Sequence, residues 1–125
     1  MPVQTRSLVA YAHVADVERS IAFYADLGFT VANRVVPDGH AAPIWAWLES
    51  DRANLMVGLA SGPVDASVQA VLFYLYYDDI AQVHAALSNL GHAPGPIQHP
   101  FYMPGGEFRL QDPDGYVLML AQAQP

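Results

Sequence analysis

The chain has 125 residues, 53% apolar and 14% charged, the make-up of a globular domain able to bury roughly two thirds of its extended surface. Twelve acidic residues against five arginines and no lysine give a formal charge of −7, which leaves no basic footprint for nucleic acid. The absence of cysteine removes disulfides, thiolate metal sites and a cysteine nucleophile, and the longest apolar run, Ala70 to Tyr77, is far short of the roughly 18 residues of a membrane span.

The N-terminal stretch MPVQTRSLVA has neither a basic start nor a long apolar core. No signal peptide is expected, and a cytoplasmic location follows. A first strand is predicted over about 7–14. Asp16 then opens a helix over 17–27: its carboxylate suits an N-cap, Val17, Ile21 and Tyr24 recur at helical spacing, and Leu27-Gly28 stops it. Three strands follow, at about 29–36, 43–49 and 53–60, with Pro37-Asp38-Gly39 as a break and Ser61-Gly62-Pro63 as a linker.

The second half repeats the first. A strand at about 68–77 precedes a helix over 80–90, opened by Asp79, patterned by Ile80, Val83 and Leu87, and closed by Leu90-Gly91. Strands are predicted at about 93–98, 106–111 and 116–122, the last two joined by Asp112-Pro113-Asp114-Gly115. An offset of 63 residues superposes Asp16 on Asp79, Val9 on Leu72 and Leu55-Met56-Val57 on Leu118-Met119-Leu120. Agreement at one offset in helix and strand alike marks an internal duplication, with repeats over about 7–60 and 68–122.

A tandem βαβββ unit carrying DVERSIAFYADLGF early and GGEFRLQDPDGY late resembles the vicinal oxygen chelate superfamily. That superfamily includes glyoxalase I, extradiol dioxygenases, and fosfomycin and bleomycin resistance proteins. The resemblance covers nearly the whole chain and implies an α+β fold. Two βαβββ modules would form a curved mixed sheet shaped as a half-barrel, with helices on the convex side. It also implies that two halves, often assembled across a homodimer, form a cup for a small molecule.

Metalloenzymes of this superfamily place one ligand on the first and fourth strand of each half. The matching positions here are Val9, Met56, Leu72 and Met119. None supplies the nitrogen or oxygen that Zn, Ni, Mn or Fe needs, and two thioethers without a third soft ligand make a poor copper site. His13, His40, His84, His92 and His99 show no H-x-H or H-x-x-x-H spacing. They read as exposed or capping residues, with His84 and His92 facing solvent or the convex side. No metal or other cofactor is expected.

Strand alternation groups the candidates. Inward Val9 and Leu72 carry Tyr11, His13, Tyr74 and Tyr76 with them, and Met56 and Met119 carry Asn54 and Gly58. Before the last turn, Phe108 and Leu110 share one face and Glu107, Arg109 and Gln111 the other. The resemblance points that polar set into the cup. Arg109 reads equally as half of an ion pair with Glu107 or as a donor to a ligand.

The offset pairs Trp45 and Trp47 with Phe108 and Leu110, which favours the core. A one-residue slip would turn both into the cup, and Trp47 is retained as a candidate. Phe101-Tyr102-Met103, between prolines, reads as an apolar flap. The candidate ligand-binding set is thus Tyr11, His13, Trp47, Met56, Tyr74, Tyr76, Tyr102, Glu107, Arg109 and Met119, with no catalytic residue assigned.

These residues suit binding rather than bond breaking. The expected function is metal-independent sequestration of an aromatic or amphipathic compound, by analogy with bleomycin-resistance proteins. Two alternatives stay open. One is a metal-free isomerase or lyase using His13, Glu107 or a tyrosine as acid and base. The other is a divalent-metal lyase or dioxygenase.

Overall fold

The computed structural model describes residues 2–124. They divide into two compact units, one ending at Val64 and the other starting at Asp65.

In the first unit, β1 (Ala10–Val14), α1 (Val17–Asp26), β2 (Thr30–Val35), β3 (Trp45–Ser50) and β4 (Ala53–Leu59) follow in order. The sheet runs β1-β4-β3-β2, with β1 parallel to β4 and the other pairs antiparallel. The Asp16 carboxylate accepts the Arg19 amide at 3.1 Å and caps α1. The helix ends where Gly28 takes φ +104°, a value that disfavours side chains. Helix α1 packs on β2, β3 and β4, burying Val17, Phe23 and Tyr24 against Val14, Ala46, Leu48 and Val57. Tyr24 is edge-on to both Phe23 and Phe29, with centroids 5.1 and 6.0 Å away. Each fully buried side chain of this size stabilises the fold by roughly 1.5–3 kcal/mol.

In the second unit, β5 (Phe73–Tyr77), α2 (Ile80–Asn89), β6 (Glu107–Gln111) and β7 (Val117–Gln122) form the sheet β5-β7-β6 with one helix. The cap recurs: Asp79 accepts the Gln82 amide at 3.1 Å, and Gly91 has φ +94°. Leu87, Phe108, Leu110, Leu118 and Leu120 make this core. The expectation of an α+β fold built from two related units, each with one helix and a mixed sheet, is borne out.

Two segments differ from expectation. Residues 93–98 do not form a strand. Pro94 and Pro96 have no N–H to give a ladder. What remains is the Gln98–Glu107 bridge and the Gly95 amide donating to the Arg109 carbonyl at 2.8 Å. The strand expected from residue 68 begins only at Phe73, after a short 3-10 turn at Ala66–Val68. Between them the Gln69 side chain takes a strand's place beside β7: its Oε1 accepts the Val117 amide at 2.8 Å, and its Nε2 donates to the Val117 carbonyl at 3.2 Å and to that of Val71.

Candidate functional site

Each sheet has one face under its helix and one face free of it, and alternation sorts the candidates between them. In β1, Ala12 and Val14 are buried while Tyr11 and His13 are exposed. In β4, Leu55 and Val57 are buried and Met56 is half-buried. The register sets Tyr11 beside Met56 and His13 beside Gly58. The Tyr11 ring lies over Gly58, so closely that a Cβ there would fall 2.7 Å from its Cε1. The Tyr11 and His13 rings are 5.2 Å apart.

Trp45 and Trp47 are on this helix-free face, not in the core. Ala46 and Leu48 take the core positions instead, which corrects the placement favoured by the offset. Trp47 pairs with Met56, nine residues on, and Arg109 pairs with Met119, ten residues on. Between equivalent ladder pairs the second unit thus holds one residue more (112–116, between Gln111 and Val117) than the first (50–53, between Glu49 and Asn54), and a one-residue slip exchanges the two faces of a strand. The equivalents of Trp45 and Trp47 are Glu107 and Arg109. The Trp47 indole N–H donates to Asn54 Oδ1 at 3.0 Å, which fixes the ring plane beside Met56.

In the second unit the helix-free face carries Tyr74, Tyr76, Met119, Glu107 and Arg109. Tyr74 is beside Met119, and its ring stacks near that of Tyr76, with centroids 6.1 Å apart. Glu107 is only 6% exposed, and its carboxylate is shared by two phenols. The Tyr74 hydroxyl donates to Oε1 at 3.2 Å and the Tyr102 hydroxyl to Oε2 at 3.4 Å. Partial burial, with the charge and hydrogen bond of Glu107, holds the Tyr74 hydroxyl above its ordinary pKa of 10.

Of the two readings of Arg109, the ion pair with Glu107 is not formed. Among the described residues the Arg109 guanidinium has no hydrogen-bond or ion-pair partner, although it is exposed on the same face as that carboxylate.

The flap expectation is met in part. Phe101 is 95% exposed, but Met103 is buried, and two turns pin the loop through Met103 N to Pro100 O at 2.9 Å and Gly106 N to Met103 O at 3.1 Å. The His99 Nδ1 lies 3.0 Å from the Pro104 carbonyl, a further clasp.

The histidines do not converge. Of the two placements expected for His84, solvent is not the one taken: it packs under its helix, edge-on to Phe108 at 4.9 Å, and its Nε2–H donates to the Gly95 carbonyl at 2.9 Å. Among the described residues no three His, Asp or Glu side chains are grouped to hold a metal ion. Met56 and Met119 are half-buried on the helix-free faces, while Val9 and Leu72 precede β1 and β5. Two thioethers and two hydrocarbons do not fit the divalent metals that this fold carries elsewhere.

One feature escaped the sequence. A cleft of about 450 Å³ runs along β6, lined by His92, Ala93, Gly95, Arg109, Gln111 and their neighbours. A strand at 93–98 would have lined this edge with regular backbone pairing. Pro94 and Pro96 were the available signal, since neither can donate to a ladder.

Comparison with solved structures finds the same fold in three antibiotic-related proteins. A bleomycin resistance determinant encoded on transposon Tn5 is 22% identical, with TM-score 0.78 over 97% of this chain and 100% of its own. A bleomycin-binding protein complexed with bleomycin is 22% identical, with TM-score 0.75 over 96% and 100%. TnmS3, an antibiotic binding protein from Streptomyces sp. CB03234, is 22% identical, with TM-score 0.74 over 99% and 100%. Identities this low carry the fold and not the ligand. Comparison with curated protein sequences gives no significant match. The family model, by contrast, matches residues 9–120, nearly all of both repeats, and on that match the chain belongs to the Glyoxalase/Bleomycin resistance protein/Dioxygenase superfamily.

Proposed function

We propose that this protein binds a small, largely aromatic or amphipathic molecule stoichiometrically, without a metal ion. One observation carries the reading. Both units turn aromatic and thioether side chains away from their helix: Tyr11, Trp47 and Met56 in one, Tyr74, Tyr76 and Met119 in the other. Aromatic side chains held in the open on rigid strands leave apolar surface in water unless something covers them. Flat rings gain most from stacking there, and the tyrosine hydroxyls supply orientation.

Two further facts support the reading. The structurally similar proteins include one bound to bleomycin and one described as antibiotic binding. The positions that carry ligands in metalloenzymes of this fold hold Val9, Met56, Leu72 and Met119 here, which favours metal-independent binding. A homodimer belongs to the same proposal. Val71 and Leu72 are more than half exposed just before β5, an edge strand, where a partner strand would cover them.

A second reading has its own support. Glu107, buried and shared by two phenols, is the arrangement from which a metal-free isomerase or lyase could draw a base and an acid.

A thermal-shift screen of aromatic natural products, cationic glycopeptides and small keto-acids tests the binding proposal, since a tight ligand raises the melting temperature by mass action. The tightest binder is then recovered after incubation and analysed by chromatography. Unchanged ligand supports sequestration, and a new product, lost in Glu107→Gln, supports the enzyme. One equivalent of transition metal in protein purified without an affinity tag would overturn the metal-free reading.

A further inference from the structure

We propose that Arg109 receives a carboxylate on the small molecule, held in the cleft along β6; this rests on the small-molecule reading above. The cleft, at about 450 Å³, falls within the ordinary size range of ligand sites, roughly 300–1,000 Å³. Several of its polar groups are spent on the fold, but the Arg109 guanidinium is not.

The Gly95 amide donates to the Arg109 carbonyl, and the Gly95 carbonyl accepts from His84. Asp112, at the end of the cleft, uses Oδ1 to accept the amides of Asp114 and Tyr116, both at 2.9 Å. Glu107, the other nearby carboxylate, accepts two tyrosine hydroxyls. Neither acid neutralises Arg109, whose side chain is exposed and, among the described residues, makes no hydrogen bond or ion pair.

The fold does not call for a cation here. The equivalent residue of the first unit is Trp47, opposite the equivalent methionine. Nor does the protein attract anions at long range, since its formal charge is −7. Affinity for an anion must therefore come from a local contact. A guanidinium supplies one: its planar fork matches a carboxylate with two parallel hydrogen bonds. Gln111, the next residue on the same face of β6, adds an amide donor, and the exposed Ala93 methyl lines the cleft with apolar surface for the ligand body. The class of ligand is a monocarboxylate with an aromatic or aliphatic body.

The experiment titrates 15N-labelled protein with 2-naphthoate and with neutral 2-naphthamide at one ionic strength. Wild type, Arg109→Gln and Arg109→Lys are compared, each first checked for an unchanged amide spectrum. We expect naphthoate to bind at least about tenfold more tightly than the amide, shifting the Arg109 Nε–H and the Gln111 side-chain amide. Arg109→Gln should lose that preference, and Arg109→Lys should keep only part of it, because lysine retains charge without the fork.

Equal affinity for the two probes in wild type, or a preference surviving in Arg109→Gln, overturns the inference and leaves small-molecule binding standing. Shifts confined to residues away from the cleft, or no binding of either probe, also overturn it. In that last case the broader reading is decided by the thermal-shift screen alone.

Discussion

Trp47 and Arg109 occupy the same place in the two repeats. Each sits on the helix-free face of its sheet, directly across from the methionine of the neighbouring strand, Met56 for Trp47 and Met119 for Arg109. The duplicated scaffold therefore presents two chemistries at one position. One is a neutral ring held by Asn54. The other is a cation beside a carboxylate that two tyrosines already occupy.

Close packing of Tyr11 on Gly58 makes that glycine the support of an aromatic platform. Gly58→Ala places a Cβ against the hydroxyl end of the Tyr11 ring, yet Tyr11 is half exposed and can swing aside. We expect a stability loss of no more than about 1 kcal/mol, with the Tyr11–His13 ring contact broken and the His13 ring protons shifted. Gly58→Ala and Tyr11→Ala should be non-additive by about 1 kcal/mol in a double-mutant cycle. Additive effects would mean that the ring does not rest on Gly58.

The Gln69 side chain stands in for a strand, and its loss should be costly. Gln69→Leu leaves the Val117 amide and carbonyl without their partners. The cost should be about 1–3 kcal/mol, read as a lower urea midpoint and faster hydrogen exchange at the Val117 amide. An unchanged exchange rate there would contradict the assigned bonds.

Ser20 is fully buried in α1, and among the described residues its hydroxyl has no hydrogen-bond partner. Ser20→Ala removes an unsatisfied polar group and improves helix propensity. Stability should rise by about 1 kcal/mol in urea denaturation. A loss of similar size would show that the hydroxyl is satisfied in solution.

Burial pushes the Tyr77 hydroxyl up to about 12 from an ordinary 10. The folded state holds this proton more tightly than the unfolded chain. The contribution to stability is therefore complete below pH 10 and is lost as pH rises from about 10 to about 12. Absorbance at 295 nm should show a tyrosine step near 12 that disappears in Tyr77→Phe, with Tyr74 and Tyr116 also titrating above 10. Titration of all seven tyrosines in a single step at 10 would refute the burial of Tyr77.

The helices were legible because their signals are local. Asp16 and Asp79 each cap the helix three residues ahead of the amide they accept, and the glycines that stop each helix have positive φ. The strands that bury Leu55, Val57, Leu118 and Leu120 were legible from alternation and from the offset of the repeat. The residues on their reverse faces, Tyr11, Met56, Tyr74 and Met119, followed from the same period of two.

The side-chain partners were not legible, since they depend on register and on which segments meet. One extra residue between β6 and β7 shifts the correspondence of the repeats, so the fixed offset paired Trp45 and Trp47 with core residues although both lie on the helix-free face. Proximity in space drew the Tyr74 and Tyr102 hydroxyls onto Glu107, leaving Arg109 unmatched. Two prolines kept residues 93–98 from pairing as a strand, beside what became a cleft. By itself the sequence determined the duplicated α+β scaffold and the absence of metal-binding side chains at its four equivalent positions, because residue type and spacing along the chain suffice for both. Only the tertiary structure decided that the Glu107 carboxylate is occupied by tyrosines and not by Arg109, because that follows from how separate segments meet in space.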